Sequence, residues 1–193
     1  MRVVCVFCGS REGSCSSYLE AARSMGEALA RRGIGLVYGG GRVGLMGALA
    51  DAALEVGGEV VGVIPEALVS KEIGHADLTK LHVVVSMHER KKLMADLSDG
   101  FVTLPGGYGT LEEFFEVLSW AKLSIHEKPC ALLDVDANYE PLSTLFDRMV
   151  GEGFVHQEHR SLVLMEQDPD TLLDLMERYT PPETKKWIGP RGL

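Results

Sequence analysis

The stretch IGLVYGGGRVGLMGALADAALEVGGEVVGVIP, residues 34–65, decides the fold. Residues 34–38 are a short apolar run ending in an aromatic, which reads as a strand. GGGRVGLMG at 39–47 follows as a glycine-rich loop. Residues 48–56 are alanine-rich and predict a helix, which Gly57 and Gly58 end. Residues 59–64 form a second apolar run, stopped by Pro65. Strand, loop, helix and strand make a crossover unit, and such units lay their strands parallel.

The same alternation extends in both directions. Upstream, residues 2–8 read as a strand ended by Gly9 and Ser10. Tyr18, Leu19, Ala22, Met25, Ala28 and Leu29 then recur at helical spacing, closed by Arg31, Arg32 and Gly33. Downstream, residues 66–80 are polar and irregular. Strands are expected at 81–85, 100–104, 130–133 and 162–165, and helices at 87–97, 110–123, 139–152 and 169–179. The fold class is therefore α/β, a parallel sheet of about seven strands with helices on both faces. EVVGVI and KLHVVV are nearly continuous apolar strands, as burial on both faces requires. Residues 1–180 read as one domain and 181–193 as a loose tail. In such sheets ligands bind beyond the carboxyl ends of the strands, so the loops there carry the chemistry.

Composition narrows the function classes. The 193 residues carry 19 Lys and Arg against 28 Asp and Glu, a net charge of −9. Phosphate polymers and anionic membranes select cationic surfaces, so neither nucleic acid nor a membrane is the expected partner. The apolar run of MRVVCVFCGS breaks at Gly9, Ser10, Arg11 and Glu12, too early for a signal peptide, and a cytoplasmic location is expected. Cys5 and Cys8 form a C-x-x-C, but residues three apart on a strand face opposite ways. They read as packing residues, and neither they nor the six histidines suggest a metal set.

Two strand-to-helix loops stand out: 39–47, with Gly39, Gly40 and Gly41, and PGGYGT at 105–110. Either could be only a tight turn. Together, each opening a helix whose unpaired amides face the loop, they point to a phosphate or nucleotide site. Gly39, Gly41 and Gly44 fit the dinucleotide pattern G-x-G-x-x-G, with Glu59 in place for a ribose. That pattern normally follows a first strand, however, and Glu59 opens a strand rather than ending one. No P-loop, G-x-S-x-G or H-E-x-x-H occurs.

Two charged residues sit in unusual register. Arg90 shares a helical face with Leu93, Met94 and Leu97, the face that should be buried, while Lys92 lies off it. An inward arginine calls for a carboxylate, phosphate or carbonyl partner. It is either a helix-anchoring salt bridge or a ligand group, with Lys91 beside it. Thr110 reads as an N-cap with Glu113 in capping-box position. Alternatively, Glu113 serves a ribose or the chemistry beside the second glycine loop. Glu112 and Glu116 read as dipole-complementing acids.

VYGGGRVGLMG, MHERK and PGGYGTLEE together resemble the Lonely Guy family of cytokinin riboside 5′-monophosphate phosphoribohydrolases, whose members are often labelled lysine decarboxylases. The resemblance spans most of the chain. It implies a Rossmann-like, doubly wound homodimer, without cofactor, that hydrolyses the N-glycosidic bond of adenine-type nucleoside 5′-monophosphates. It also implies that Arg90 and Glu113 are catalytic. Substrate would be bound by Glu72, Arg90, Lys91, Gly107, Tyr108, Gly109, Thr110, Leu111, Glu112, Glu113 and Ser119. A nucleotide sensor without turnover and an NAD-dependent oxidoreductase are the competing readings.

Overall fold

The computed structural model describes residues 1–69 and 74–182. Its first half runs β1 (Val3–Phe7), α1 (Ser16–Arg31), β2 (Gly35–Tyr38), α2 (Gly44–Glu55), β3 (Val60–Pro65), α3 (Glu66–Val69) and β4 (Lys80–Val84). Then follow α4 (Met87–Leu97), β5 (Gly100–Thr103), α5 (Tyr108–Lys122) and β6 (Cys130–Leu133). A 3-10 turn (Val135–Ala137), α6 (Glu140–Gly151), α7 (Gln157–Arg160), β7 (Val163–Glu166) and α8 (Pro169–Arg178) complete it.

The seven strands form one sheet in the order β4-β3-β2-β1-β5-β6-β7, and every neighbouring pair is parallel. The chain winds outward from β1 to β4, then returns to lay β5 against the other side of β1. The loops after β1 and β5 thus leave in opposite directions, which opens a crevice at that point. Phe7 is level with Thr103 and Cys5 with Val37, so the carboxyl ends of β1, β2 and β5 lie side by side.

The alternation along β1 divides the core. Val4 and Val6 face Met25 and Leu29 of α1, Leu49 of α2 and Leu172 of α8. Cys5 and Phe7 face Met94 of α4, Phe114 of α5 and Phe146 of α6. Burying each such large side chain contributes ~1.5–3 kcal/mol, so both helical layers are needed to cover the sheet. Cys5 and Cys8 fall in different clusters, as the strand geometry requires.

Four local expectations are corrected. Helix α2 starts at Gly44, so the second half of the first glycine loop is helical, with Leu45 and Met46 already buried. Helix α5 starts at Tyr108 with Gly107 as its N-cap; Thr110 is not the cap but lies inside the first turn. The irregular segment holds a short helix, α3, and Gly74 pairs with Gly41 in an isolated antiparallel bridge. On α4 the buried residues are Arg90, Met94 and Ala95, whereas Leu97 is exposed. The end of the sequence, 183–193, lies outside the described residues.

Candidate active site

Three loops meet at the crevice. The turn after β1 is held from both sides. Gly9 N donates to Pro105 O at 3.1 Å, and Gly9 O accepts from Leu45 N at 3.1 Å. A Cβ on Gly44 would stand 2.4 Å from Arg11 N, and Gly44 has φ +59°, so only glycine fits there. The β1 turn is the part of the site the sequence reading passed over. Its signal was present as a Gly-Ser pair straight after a strand, but nothing local says that this turn packs under PGGYGT.

From β2 come Gly39, Gly40 and Gly41, all buried. Gly39 O accepts from Arg90 Nη2 at 3.4 Å, and a Cβ on Gly39 would lie 2.2 Å from that nitrogen. The missing side chain is therefore the space the guanidinium occupies.

Arg90 reaches this point because α4 is capped firmly. Ser86 Oγ accepts the Glu89 amide at 3.2 Å, and the Glu89 carboxylate accepts the Val85 amide at 3.0 Å. This reciprocal cap fixes the register that turns Arg90 inward. The residue is only 6% exposed. Its Nη1 contacts Met87 Sδ at 3.6 Å, its Nη2 stands 4.0 Å from Glu113 Oε1, and its Nε has no partner among the described residues. A guanidinium offers five N–H donors, and burying them incompletely bonded is costly. Such a group is poised to take oxygens from an anion.

The second glycine loop supplies the other wall. Gly106 is packed tight: a Cβ there would meet Thr110 Oγ1 at 2.2 Å. Gly107 and Gly109 are different, because among the described residues a Cβ on either would meet nothing within 4 Å. Neither has positive φ. Protein packing and backbone geometry thus give no reason for glycine at these two positions, whereas a ligand lying on the backbone would. The first turn of α5 contains no acid, so the positive end of its dipole is uncompensated. Glu113 lies in the second turn, beyond reach of a capping role. Its side chain is 14% exposed and faces Arg90.

The remaining candidates divide. Thr110 is buried, Leu111 half-buried, and Tyr108 is 95% exposed at the loop rim. Lys91 does not stand beside Arg90 as a loose cation. Its ammonium is bound by Glu112 at 2.6 Å and Glu116 at 2.9 Å, which ties α4 to α5. Burial alone would lower its pKa, but these two hydrogen bonds outweigh that and raise it. Ser119 lies six residues past Glu113, about 9 Å along the helix axis. It lines a separate groove of about 180 Å³ with Phe115, Leu118, Phe146 and His159. Glu72 lies outside the described residues.

Below the loops the thiol of Cys8 is pushed far up by burial and then by the Glu113 charge, so it stays protonated and is no nucleophile. Among the described residues, no group of three His, Cys, Asp or Glu is placed to hold a metal. Glu59 precedes β3, at the sheet edge opposite Gly39, which takes away the carboxylate a dinucleotide ribose would need.

A doubly wound Rossmann-like sheet with a buried arginine, a facing glutamate and a bare glycine loop at its switch point defines the class. The solved structures that match share this fold at low identity. The molybdenum cofactor binding protein from Rippkaea orientalis superposes with a TM-score of 0.69 at 21% identity, covering 92% of this chain and 96% of that one. The molybdenum cofactor carrier protein from Chlamydomonas reinhardtii gives 0.69 at 21%, covering 91% and 96%. The family model described as "possible lysine decarboxylase" matches residues 46–176. A cytokinin riboside 5′-monophosphate phosphoribohydrolase from Rhodococcoides fascians is 52% identical over 86% of this chain and 84% of its own length. A probable enzyme of the same name from Oryza sativa subsp. japonica is 48% identical over 97% and 83%. One from Arabidopsis thaliana is 44% identical over 93% and 84%. The chain belongs to this family, and within it to the Lonely Guy group.

Proposed function

We propose that the chain is a phosphoribohydrolase acting on cytokinin-type nucleotides. It hydrolyses the N-glycosidic bond of adenine-type nucleoside 5′-monophosphates, including N6-substituted ones, to free base and ribose 5-phosphate. The observation that carries this reading is the Arg90–Glu113 pair, 4.0 Å apart, beside a helix N-terminus whose two bare glycines face open space. The names of its relatives, 44–52% identical, point the same way.

The 5′-phosphate lies on the Gly107 and Gly109 backbone at the N-terminus of α5, where unpaired amides and the dipole favour an anion. Cleavage develops positive charge on the sugar, and the Glu113 carboxylate beside it stabilises that charge and orients water. The bond electrons leave with the base nitrogen and the water oxygen bonds the anomeric carbon. One water proton passes by way of Glu113 to the departing base. Arg90 directs its unsatisfied donors at the nucleotide and holds it in line with Glu113. Lys91, the lysine next to Arg90 in sequence, is engaged by two carboxylates and does not offer the free amine a decarboxylase would use.

The reading includes a cytoplasmic location and a homodimer. The groove lined by Phe115, Phe146 and Met149 offers apolar surface for a second copy. The deciding experiment incubates the purified protein with AMP, N6-isopentenyl-AMP and NAD. Release of base with ribose 5-phosphate is the expected result. Binding of AMP without release would make the protein a sensor, and hydride transfer with NAD would overturn the reading.

A further inference from the structure

His75 is 2% exposed, and nothing in the chemistry above uses it. Its ring is bonded on both sides. Nδ1 lies 3.2 Å from the Asp77 amide and must accept that proton. The other nitrogen, Nε2, therefore carries the hydrogen and donates it to Asp51 Oδ1, on α2, at 2.9 Å. The backbone of the same residue is engaged as well: His75 N donates to Gly40 O at 3.1 Å. One residue earlier, Gly74 forms the antiparallel bridge with Gly41.

Gly40 is one of two left-handed residues of the first glycine loop, at φ +78°. The carbonyl on one side of it, Gly39 O, receives the Arg90 guanidinium, and its own carbonyl receives His75 N. Without the second restraint, a glycine can rotate its peptides at little cost, and the first carbonyl would swing with them. Asp51 is 44% exposed at its side chain and grips the imidazole from the body of α2.

We infer that His75, oriented by Asp51, is a positioning residue: it pins Gly40 and thereby sets the carbonyl against which Arg90 is aimed. This rests on the proposed role of Arg90 and deepens it. A buried imidazole serving only to fill space would need neither bond. Here one ring joins α2, its own turn and, through its amide, the glycine loop.

The test is a double-mutant cycle on the full chain with AMP as substrate. Asp51→Ala should lower kcat/KM by about 10- to 100-fold, the scale of loss when a reacting group is displaced by about 1 Å. Asp51→Asn keeps an acceptor oxygen for Nε2–H and should restore most of the rate. In an Arg90→Ala background, Asp51→Ala should cause no further loss, because the group it aims is gone. Equal losses in both backgrounds would overturn the inference, as would Asp51→Asn being no better than Asp51→Ala. The same cycle is read on AMP affinity by calorimetry. A wild-type protein that binds AMP without hydrolysing it sinks the proposed reaction, while the affinity cycle still decides the role of His75. Because Asp51 is half-exposed on a helix surface, its variants test the idea even if His75→Ala fails to fold.

Discussion

Arg90 Nη2 and Glu113 Oε1 stand 4.0 Å apart, with side-chain exposures of 8% and 14%. That is the limit of an ion pair, in a setting where a closed bidentate pair would be the favourable arrangement. The gap leaves oxygen-seeking donors on one side and a carboxylate on the other.

Replacing either member should cost activity, and replacing Arg90 should cost stability as well. Arg90→Met removes a buried guanidinium whose Nε has no partner among the described residues and leaves an apolar chain beside Met87 and Met94. Thermal unfolding should show it destabilised, by up to about 3–5 kcal/mol, because the Glu113 carboxylate stays buried while its cationic neighbour is gone. Turnover of AMP should fall by about 10²–10³-fold, the usual loss for a removed electrostatic group. Glu113→Gln keeps the shape and loses the charge; near-normal turnover would remove Glu113 from the chemistry.

Gly109→Ala should be a stabilising substitution that damages function. Gly109 lies in the first turn of α5 and nothing among the described residues lies within 4 Å of its would-be Cβ. Alanine in a helix is favoured over glycine by up to about 1 kcal/mol. The added methyl would project into the proposed phosphate position, so the melting temperature should rise while KM for AMP rises at least tenfold. Unchanged KM would move the phosphate elsewhere.

His126 predicts an acid-side loss of stability. Its Nε2–H donates to Val117 O at 2.9 Å, and its Nδ1 accepts from Lys128 N at 3.1 Å, so the ring is held neutral. Burial drives its pKa down to about 4. A depressed histidine contributes stability that is complete above its unfolded value near 6.5 and is lost as pH falls toward 4. The loss is on the order of 2–3 kcal/mol. His159 is shifted the same way, by burial and then by Lys122, and adds to it. Asp99 and Asp168, held below the usual carboxylate range chiefly by backbone amides, act at lower pH. Denaturant unfolding between pH 7 and 4 should therefore show a shallower slope for His126→Gln than for wild type.

Thiol labelling should be one-quarter complete in the native protein. Cys15 is exposed, while Cys5, Cys8 and Cys130 are buried. Burial raises all three buried thiols, Cys130 to about 12, so they are both inaccessible and protonated. A disulfide reagent at pH 8 should titrate one equivalent rapidly and the other three only on unfolding.

The sequence alone determined the elements whose signals are local. The strand and helix alternation was legible because apolar periodicity and glycine breaks act over a few residues. The limits of α4 (Met87–Leu97) and β6 (Cys130–Leu133) are those the pattern predicts. The inward register of Arg90 was legible for the same reason, since a helix face is fixed by residues three and four apart. The start of α5 was misread because Thr110 is a good cap in isolation, while the chain turns helical at Tyr108 once Gly106 packs against the Thr110 side chain. Pairing across the sheet decided everything else. No local signal sets β5 beside β1, and only that neighbour relation brings Gly9, Gly39 and Gly106 to one crevice. It likewise took packing to commit Lys91 to Glu112 and Glu116, to place Ser119 in another groove, and to join His75 to Asp51 across 24 residues. Such contacts depend on where whole elements come to rest, which the hydrophobic pattern of each element does not encode.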